Sequence, residues 1–431
     1  MDQIVVKGCS ALEGQIHIPS SKSHTLRAIF MSALALGRSE IEEWLISPDS
    51  KAMIRAVEQF GAKVVHSSNR LFVTGVGGKL QQPTETIDCG NSGQVLRFMG
   101  SVAATLPGAT YLTGDLSLQT NRPVDPLLSG LNQLGAVACS LRRSGYAPIM
   151  VRGPWTKSRA TIEGIDSQPV SGLLLAAAAT QNTLFLEVVH PKELPWIDLT
   201  LHWLQKLGIP FVREGYSRYI IQPKSPIQGF SVRIPGDWSS AAFPLAAAVV
   251  THGSLIVENL DVFDSQGDKQ ILPWLREMGV SVEEDAARQR IRIHQKGALR
   301  GIRVDMDACI DALPILAVLG CFASGTTHLY NGWIARKKES DRISAIVREL
   351  RKMGGDVEEY SDGLIIHSSP LKGADLDCHK DHRIGMSLII AALGAKGSSR
   401  ISGVECFAKS YPGFIRALNS IGAQIEENYG F

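Results

Sequence analysis

Asp237-Trp238-Ser239-Ser240-Ala241-Ala242-Phe243-Pro244-Leu245-Ala246-Ala247-Ala248-Val249-Val250 is the stretch on which the fold turns. Asp237 and the two serines are helix-capping residue types, because their side-chain oxygens accept from the free N–H groups of a first turn. The run from Ala241 to Val250 has almost no polar face, and a helix that is apolar all round is a buried one. Gly253 ends it, and Ser254-Leu255-Ile256-Val257-Glu258 reads as a strand. A second, amphipathic helix is expected over Asp268–Met278, stopping at Gly279. Val280-Ser281-Val282-Glu283 and Ile291-Arg292-Ile293-His294 then alternate like strands with one wet face.

The same order recurs along the chain. Polar turns before small-residue apolar runs lie at Lys22, Ser92, Ser167, Trp238, Asp311 and His382, separated by 70, 75, 71, 73 and 71 residues. An apolar residue before a glycine closes the second helical pattern at Gly61, Gly135, Gly208, Gly279, Gly354 and Gly422, with gaps of 74, 73, 71, 75 and 68. Leu173–Ala179 and Leu313–Ala323 repeat the buried helix, while Ala56–Phe60, Leu201–Leu207 and Ile343–Met353 repeat the second one. Two markers keep one period, so the chain reads as six copies of a unit of strands plus two helices. That reading predicts an α/β architecture with buried helices inside and sheets outside.

Composition sets the class. A chain of 431 residues exceeds one ordinary core, so two domains are expected. Hydrophobic content of 44% with 20% charged residues fits a soluble globular enzyme rather than a disordered or fibrous chain. The net charge of +2, from 44 basic and 42 acidic residues, gives no nucleic-acid surface, so any anion site must be a local cluster. Seven cysteines without a C-x-x-C pair point to a reduced, cytoplasmic chain. Eleven histidines show no zinc spacing, and no metal is expected. Apolar stretches such as Ile315–Ala323 fall short of the about 18 residues of a membrane span.

The opening turns hold most of the unusual chemistry. They are Ser21-Lys22-Ser23-His24-Thr25-Leu26-Arg27, Gly90-Asn91-Ser92-Gly93-Gln94-Val95-Leu96-Arg97, Asp166-Ser167-Gln168, Asp311 and Asp381-His382-Arg383. Helix N-termini carry free N–H groups and partial positive charge, so they attract anions. Several such ends with Lys and Arg beside them suit a small poly-anionic molecule. Lys22 and Arg27 could instead sit on a solvated face, and the run Arg336-Lys337-Lys338-Glu339-Ser340-Asp341-Arg342 could be an ordinary solvated helix start. Arg122, in Thr120-Asn121-Arg122-Pro123, and Lys409, in Ala408-Lys409-Ser410, stand outside the period.

Taken in order, Ser21-Lys22-Ser23 with Arg27, Gly90-Asn91-Ser92-Gly93, Arg122-Pro123, Asp311, Lys338-Glu339-Ser340-Asp341-Arg342, Asp381-His382-Arg383 and Ala408-Lys409-Ser410 resemble the 5-enolpyruvylshikimate-3-phosphate synthase family. The resemblance runs from residue 20 to about 415. It implies a monomeric, two-domain inside-out α/β barrel of six βαβαββ repeats, three per domain, with the active site in the interdomain cleft. The implied domains are 20–234, and 1–19 with 235–431. It implies transfer of the enolpyruvyl group of phosphoenolpyruvate to the 5-hydroxyl of shikimate 3-phosphate, releasing phosphate through a tetrahedral intermediate, with no cofactor. The expected phosphoenolpyruvate ligands are Lys22, Gly93, Arg122, Gln168, Arg342, Arg383 and Lys409. Those for shikimate 3-phosphate are Lys22, Ser23, Arg27, Ser167, Gln168, Asp311 and Lys338. Catalytic roles are implied for Asp311, Glu339, Lys338 and Lys22. Without a metal, four anionic groups on two substrates must be met by Lys, Arg and backbone N–H groups.

The chain departs from the family pattern at several points. Asp166 stands where a second serine is common, Glu193 where a serine lies near the sugar phosphate, and Ile334 where a polar residue is frequent. Gln94 and Phe98 replace a frequent Thr and Pro beside Gly93. Asp166 is expected to cap its helix, because a carboxylate beside a phosphate opposes binding unless it turns away or pairs with a base. Two rivals are a UDP-N-acetylglucosamine enolpyruvyl transferase and a non-catalytic binding protein on the same fold. The first has Lys-Asn where this chain has Lys22-Ser23, and usually a reactive Cys on a loop that here, over Asp115–Arg122, has none. The second would have no need of Glu339.

Overall fold

A computed structural model describes residues 3–9, 11–180, 182–223, 225–295 and 297–428. The chain divides into two compact units, Ser20–Ile234, and Met1–Pro19 with Pro235–Phe431. Each unit is organised around three apolar helices that pack on one another. In the first these are Lys22–Leu34, Gly93–Ala103 and Ser167–Thr180. In the second they are Trp238–Val250, Leu313–Phe322 and His382–Gly394. Trp238–Val250 is buried along its whole length, as its all-apolar sequence requires. Caps begin the helices where the polar turns lie: Ser21 Oγ accepts from His24 N, Ser92 Oγ from Val95 N and Asp237 Oδ1 from Ser240 N. Leu173, Leu174 and Leu175 have no exposed surface, each contributing about 1.5–3 kcal/mol by burial.

Four of these helices, Gly93–Ala103, Ser167–Thr180, Leu313–Phe322 and His382–Gly394, each join the parallel pair of a four-stranded sheet. In one sheet the order is Ile87–Asp88, Thr110–Thr113, Ile149–Arg152, Val137–Ser140. The first pair is parallel and the other two are antiparallel. All six sheets among the described residues share this pattern. The six marker glycines lie in the left-handed region, from φ +69° at Gly208 to +103° at Gly422. That conformation ends the second helix, and glycine adopts it without a Cβ clash.

Three sheets borrow a strand from outside their own period. Ser231–Arg233, after the third repeat, pairs in parallel with Leu36–Glu42 of the first. Glu13–His17 pairs in parallel with Ser254–Glu258, and Gln3–Lys7 lies between Ser398–Ser402 and Gln424–Asn428. Chain ends of each unit thus complete its sheets.

The helix expected over Asp268–Met278 is instead a 3-10 turn, Gly267–Gln270, followed by the helix Ile271–Glu277. Pro273 has no N–H to donate to the turn before it, so one continuous α-helical ladder cannot form there. All seven cysteines carry free thiols, and Cys89, Cys309, Cys321 and Cys378 are buried. Among the described residues no helix is long and apolar enough to cross a membrane.

Candidate active site

In the unit Ser20–Ile234 the expected residues gather at the starts of its three buried helices. Lys22 is the first residue of its helix, and its Nζ lies 3.5 Å from Asp49 Oδ2, itself 3% exposed. The Ser23 carbonyl accepts from Arg27 Nη1 at 3.2 Å. Arg27 is 1% exposed rather than on a solvated face. It donates to Thr200 Oγ1 from Nε and Nη2, at 3.1 and 2.9 Å, and to the Trp196 carbonyl at 3.3 Å. Burial pulls its pKa down to about 9. Phe98, the departure beside Gly93, packs edge-on against Phe30 and lies 5.4 Å under the Arg27 guanidinium.

Gly93, Arg122 and Gln168 come together. A Cβ on Gly93 would stand 2.8 Å from Gln168 Oε1 and 2.9 Å from Arg122 Nη2. Arg122, 5% exposed, is oriented by a bond from Nη1 to the Asn91 carbonyl at 3.1 Å. Asp166 does cap, its Oδ1 accepting from Gln168 N at 3.0 Å. Its Oδ2 lies 3.3 Å from Nη2 of the buried Arg97, which also donates to the Pro123 carbonyl at 2.8 Å. Burial lowers the Arg97 pKa, and the Asp166 charge opposes that shift. Glu193, 2% exposed, accepts through Oε2 from Ser167 N at 3.0 Å and Ser167 Oγ at 3.2 Å.

In the unit Met1–Pro19 with Pro235–Phe431 the cluster centres on Arg342, 1% exposed. Its Nη1 lies 2.6 Å from Asp311 Oδ1, its Nη2 2.8 Å from Glu339 Oε2 and its Nε 2.8 Å from Asp381 Oδ2. Arg383 Nη2 holds the second Asp311 oxygen at 2.8 Å, and Lys409 Nζ holds Glu339 Oε1 at 2.5 Å. Lys338 is 7% exposed at the end of the 3-10 turn Trp333–Lys337. The charged run 336–342 is thus built into the protein. Arg336 pairs with Asp341, which caps the helix Arg342–Lys352. Ile334, in the same turn, is 6% exposed.

Electrostatics follow from this packing. Burial alone would raise the Asp311 pKa, but Arg383, Arg342 and Lys338 hold it well below the usual carboxylate range. Burial alone would lower that of Arg342, but Asp381, Glu339 and Asp311 keep it high. Asp268, 2% exposed and hydrogen-bonded by Ser239, is pushed up to about 7 by burial and by the Asp311 charge. Such a cluster can exchange internal carboxylates for substrate anions on the same cations, and can hold or accept protons at Asp311 and Glu339.

Sequence reasoning assigned no role to Asp49, Arg97, Asp268, Thr200 or Asp381. Asp381 was visible as the cap of the Asp-His-Arg block, but its pairing with Arg342 is non-local. Asp49 follows Ser47-Pro48, a pattern that marks only a helix start.

The family model described as EPSP synthase (3-phosphoshikimate 1-carboxyvinyltransferase) matches residues 6–418. The 3-phosphoshikimate 1-carboxyvinyltransferase of Chlamydia caviae is 43% identical over 423 residues, 97% of this chain and 93% of that protein. The protein of the same name from Acetivibrio thermocellus is 40% identical over 417 residues, 96% of this chain and 97% of its own length. The solved structure of an EPSP synthase from Acinetobacter baumannii matches with a TM-score of 0.82 at 27% identity, covering 100% of both chains. The enolpyruvyl transferase NikO from Streptomyces tendae matches in fold, with a TM-score of 0.78 at 18% identity over 99% of each chain.

Proposed function

The chain belongs to the EPSP synthase family, and from that premise we propose how its residues divide the work of the reaction. The protein is a transferase of aromatic biosynthesis that moves the enolpyruvyl group of phosphoenolpyruvate onto shikimate 3-phosphate. The unit 20–234 and the unit formed by 1–19 and 235–431 are read as two domains acting on the same pair of substrates. In this reading Ser23, Arg27, Ser167 and Gln168, with Asp311 and Lys338, hold shikimate 3-phosphate. Gly93, Arg122, Gln168, Arg342, Arg383 and Lys409 hold phosphoenolpyruvate, and Lys22 serves both. Arginines suit the carboxylate because a guanidinium binds it with two parallel hydrogen bonds.

In this reading the reaction is an addition followed by an elimination. The 5-hydroxyl oxygen bonds to C2 of phosphoenolpyruvate and gives its proton to Asp311 or Lys338. C3 takes a proton from Glu339 and becomes a methyl group. The tetrahedral adduct then returns a methyl proton to the protein, the C2–O bond to phosphate breaks, and the double bond re-forms. Asp311 is a weak base while Arg383 and Arg342 hold it, so substrate anions that draw those cations away raise its proton affinity. The observation that best supports the reading is the shared hold of Arg342 on Asp311, Glu339 and Asp381, beside Arg383 and Lys409. It puts both proton-handling carboxylates against the cations that a poly-anionic substrate needs. A cytoplasmic monomer is the proposed form.

Phosphate release from phosphoenolpyruvate tests this directly. Release that requires shikimate 3-phosphate supports the reading. Release only with UDP-N-acetylglucosamine, or tight binding of both substrates without release, contradicts it.

A further inference from the structure

We propose that Glu193 is an internal ligand of the sugar-phosphate subsite, which shikimate 3-phosphate must displace in order to bind. Glu193 thereby sets the affinity for that substrate. The inference rests on the reading above that Ser167 holds shikimate 3-phosphate.

Ser167 opens the helix Ser167–Thr180, and an anion arriving there uses its backbone N–H and hydroxyl. Both groups already bond to Glu193 Oε2, at 3.0 and 3.2 Å. A carboxylate resembles a phosphate in charge sign and in its acceptor oxygens, so it satisfies the same donors. The carboxylate makes no cap hydrogen bond to the helix that Glu193 precedes, Leu194–Lys206. The backbone of Glu193 lies in the left-handed region, at φ 50 and ψ 39, which disfavours a residue with a Cβ. A glutamate in a strained turn, 2% exposed and directed at another helix, is a device of that second helix rather than of its own.

The neighbouring carboxylate is tied differently. Asp166 bonds to Gln168 N and lies 3.3 Å from the buried Arg97 cation, which the Glu193 charge also influences, but it is Glu193 that bonds to the two Ser167 donors. Glu193 Oε2 and a phosphate oxygen cannot share the Ser167 donors, because like charges at that separation repel. The side chain of Glu193 must therefore swing away when the phosphate enters.

The test measures binding of shikimate 3-phosphate and of unphosphorylated shikimate to the full chain, for wild type, Glu193→Gln, Glu193→Ser and Ser167→Ala. Gln keeps the shape and removes the charge. Ser removes both the charge and most of the bulk and guards against a packing artefact. Tightening of shikimate 3-phosphate by at least roughly fivefold in both Glu193 variants is expected, as a competing charged hydrogen bond is lost. Shikimate affinity should stay within about twofold, since its recognition does not use this subsite. Unchanged or weaker shikimate 3-phosphate binding in Glu193→Gln overturns the proposal and leaves the Ser167 reading standing if Ser167→Ala binds less well. If Ser167→Ala binds the substrate normally, the subsite reading itself fails and the proposal falls with it.

Discussion

Lys409 Nζ lies 2.5 Å from Oε1 of Glu339, so the carboxylate proposed to protonate carbon is held by an ammonium proposed to hold phosphoenolpyruvate. Arg342 holds the other Glu339 oxygen at 2.8 Å. A carboxylate gripped by two cations is favoured in its ionised form and has no proton to give, and substrate anions that recruit those cations let it take one up. Substrate binding and the protonation of Glu339 are therefore coupled through Glu339, Arg342 and Lys409.

Gly93 tests the phosphoenolpyruvate wall in the unit 20–234. An added Cβ would stand 2.8 Å from Gln168 Oε1 and 2.9 Å from Arg122 Nη2, so both side-chain ends must shift. Gly93→Ala should raise KM for phosphoenolpyruvate by about tenfold while the KM for shikimate 3-phosphate moves less, because small misplacements of clamping groups are felt strongly. Steady-state kinetics with each substrate varied in turn measures this. An unchanged KM for phosphoenolpyruvate would show that Arg122 and Gln168 do not face it.

Asp166 tests whether a departure from the family pattern is structural. Removing it takes away the carboxylate 3.3 Å from the buried Arg97 guanidinium and leaves the weaker influence of the Glu193 charge there. Asp166→Ala should lower stability by about 2 kcal/mol, less than the roughly 3–5 kcal/mol of a fully buried pair, because Asp166 retains some solvent contact. The KM for shikimate 3-phosphate should change by less than about threefold, since the carboxylate faces Arg97. Denaturant titration and kinetics read the two effects separately. A contact between Asp166 and the phosphate in a substrate complex would contradict this assignment.

Asp268 gives a pH signature. Burial and the Asp311 charge raise its pKa to about 7, against about 4 in an unfolded chain. Between those values the folded state binds more protons than the unfolded state, so this contribution to stability is lost as pH rises from about 4 to about 7. Asp311 acts in the opposite sense, because Arg383 and Arg342 outweigh its burial: its contribution is present above about pH 4 and is lost as pH falls below that. In Asp268→Asn the melting temperature, relative to wild type, should therefore climb between pH 5 and pH 8. Parallel melting curves at all pH values would contradict a raised Asp268.

The repeat was legible because it is written in local signals. Caps at Ser21, Ser92 and Asp237 and the left-handed glycines after each second helix are fixed by nearest neighbours in sequence. Sheet closure was not legible. Nothing local tells Gln3–Lys7 to lie between strands that begin at Ser398 and Gln424. The site showed the same divide. Residue types at the opening turns pointed to anion chemistry. The internal partners Asp49, Thr200, Arg97 and Asp381 did not show, because each pairing joins segments far apart in the chain.

The central claim is that this chain transfers enolpyruvate with Glu339 as the acid toward carbon, and one side-by-side measurement bears on it most directly. Phosphate release from phosphoenolpyruvate in the presence of shikimate 3-phosphate is followed for wild type and Glu339→Gln. The account predicts substrate-dependent release by wild type and a fall in kcat of at least about 100-fold in the variant, with both KM values within about threefold. Wild-type turnover in Glu339→Gln would contradict it.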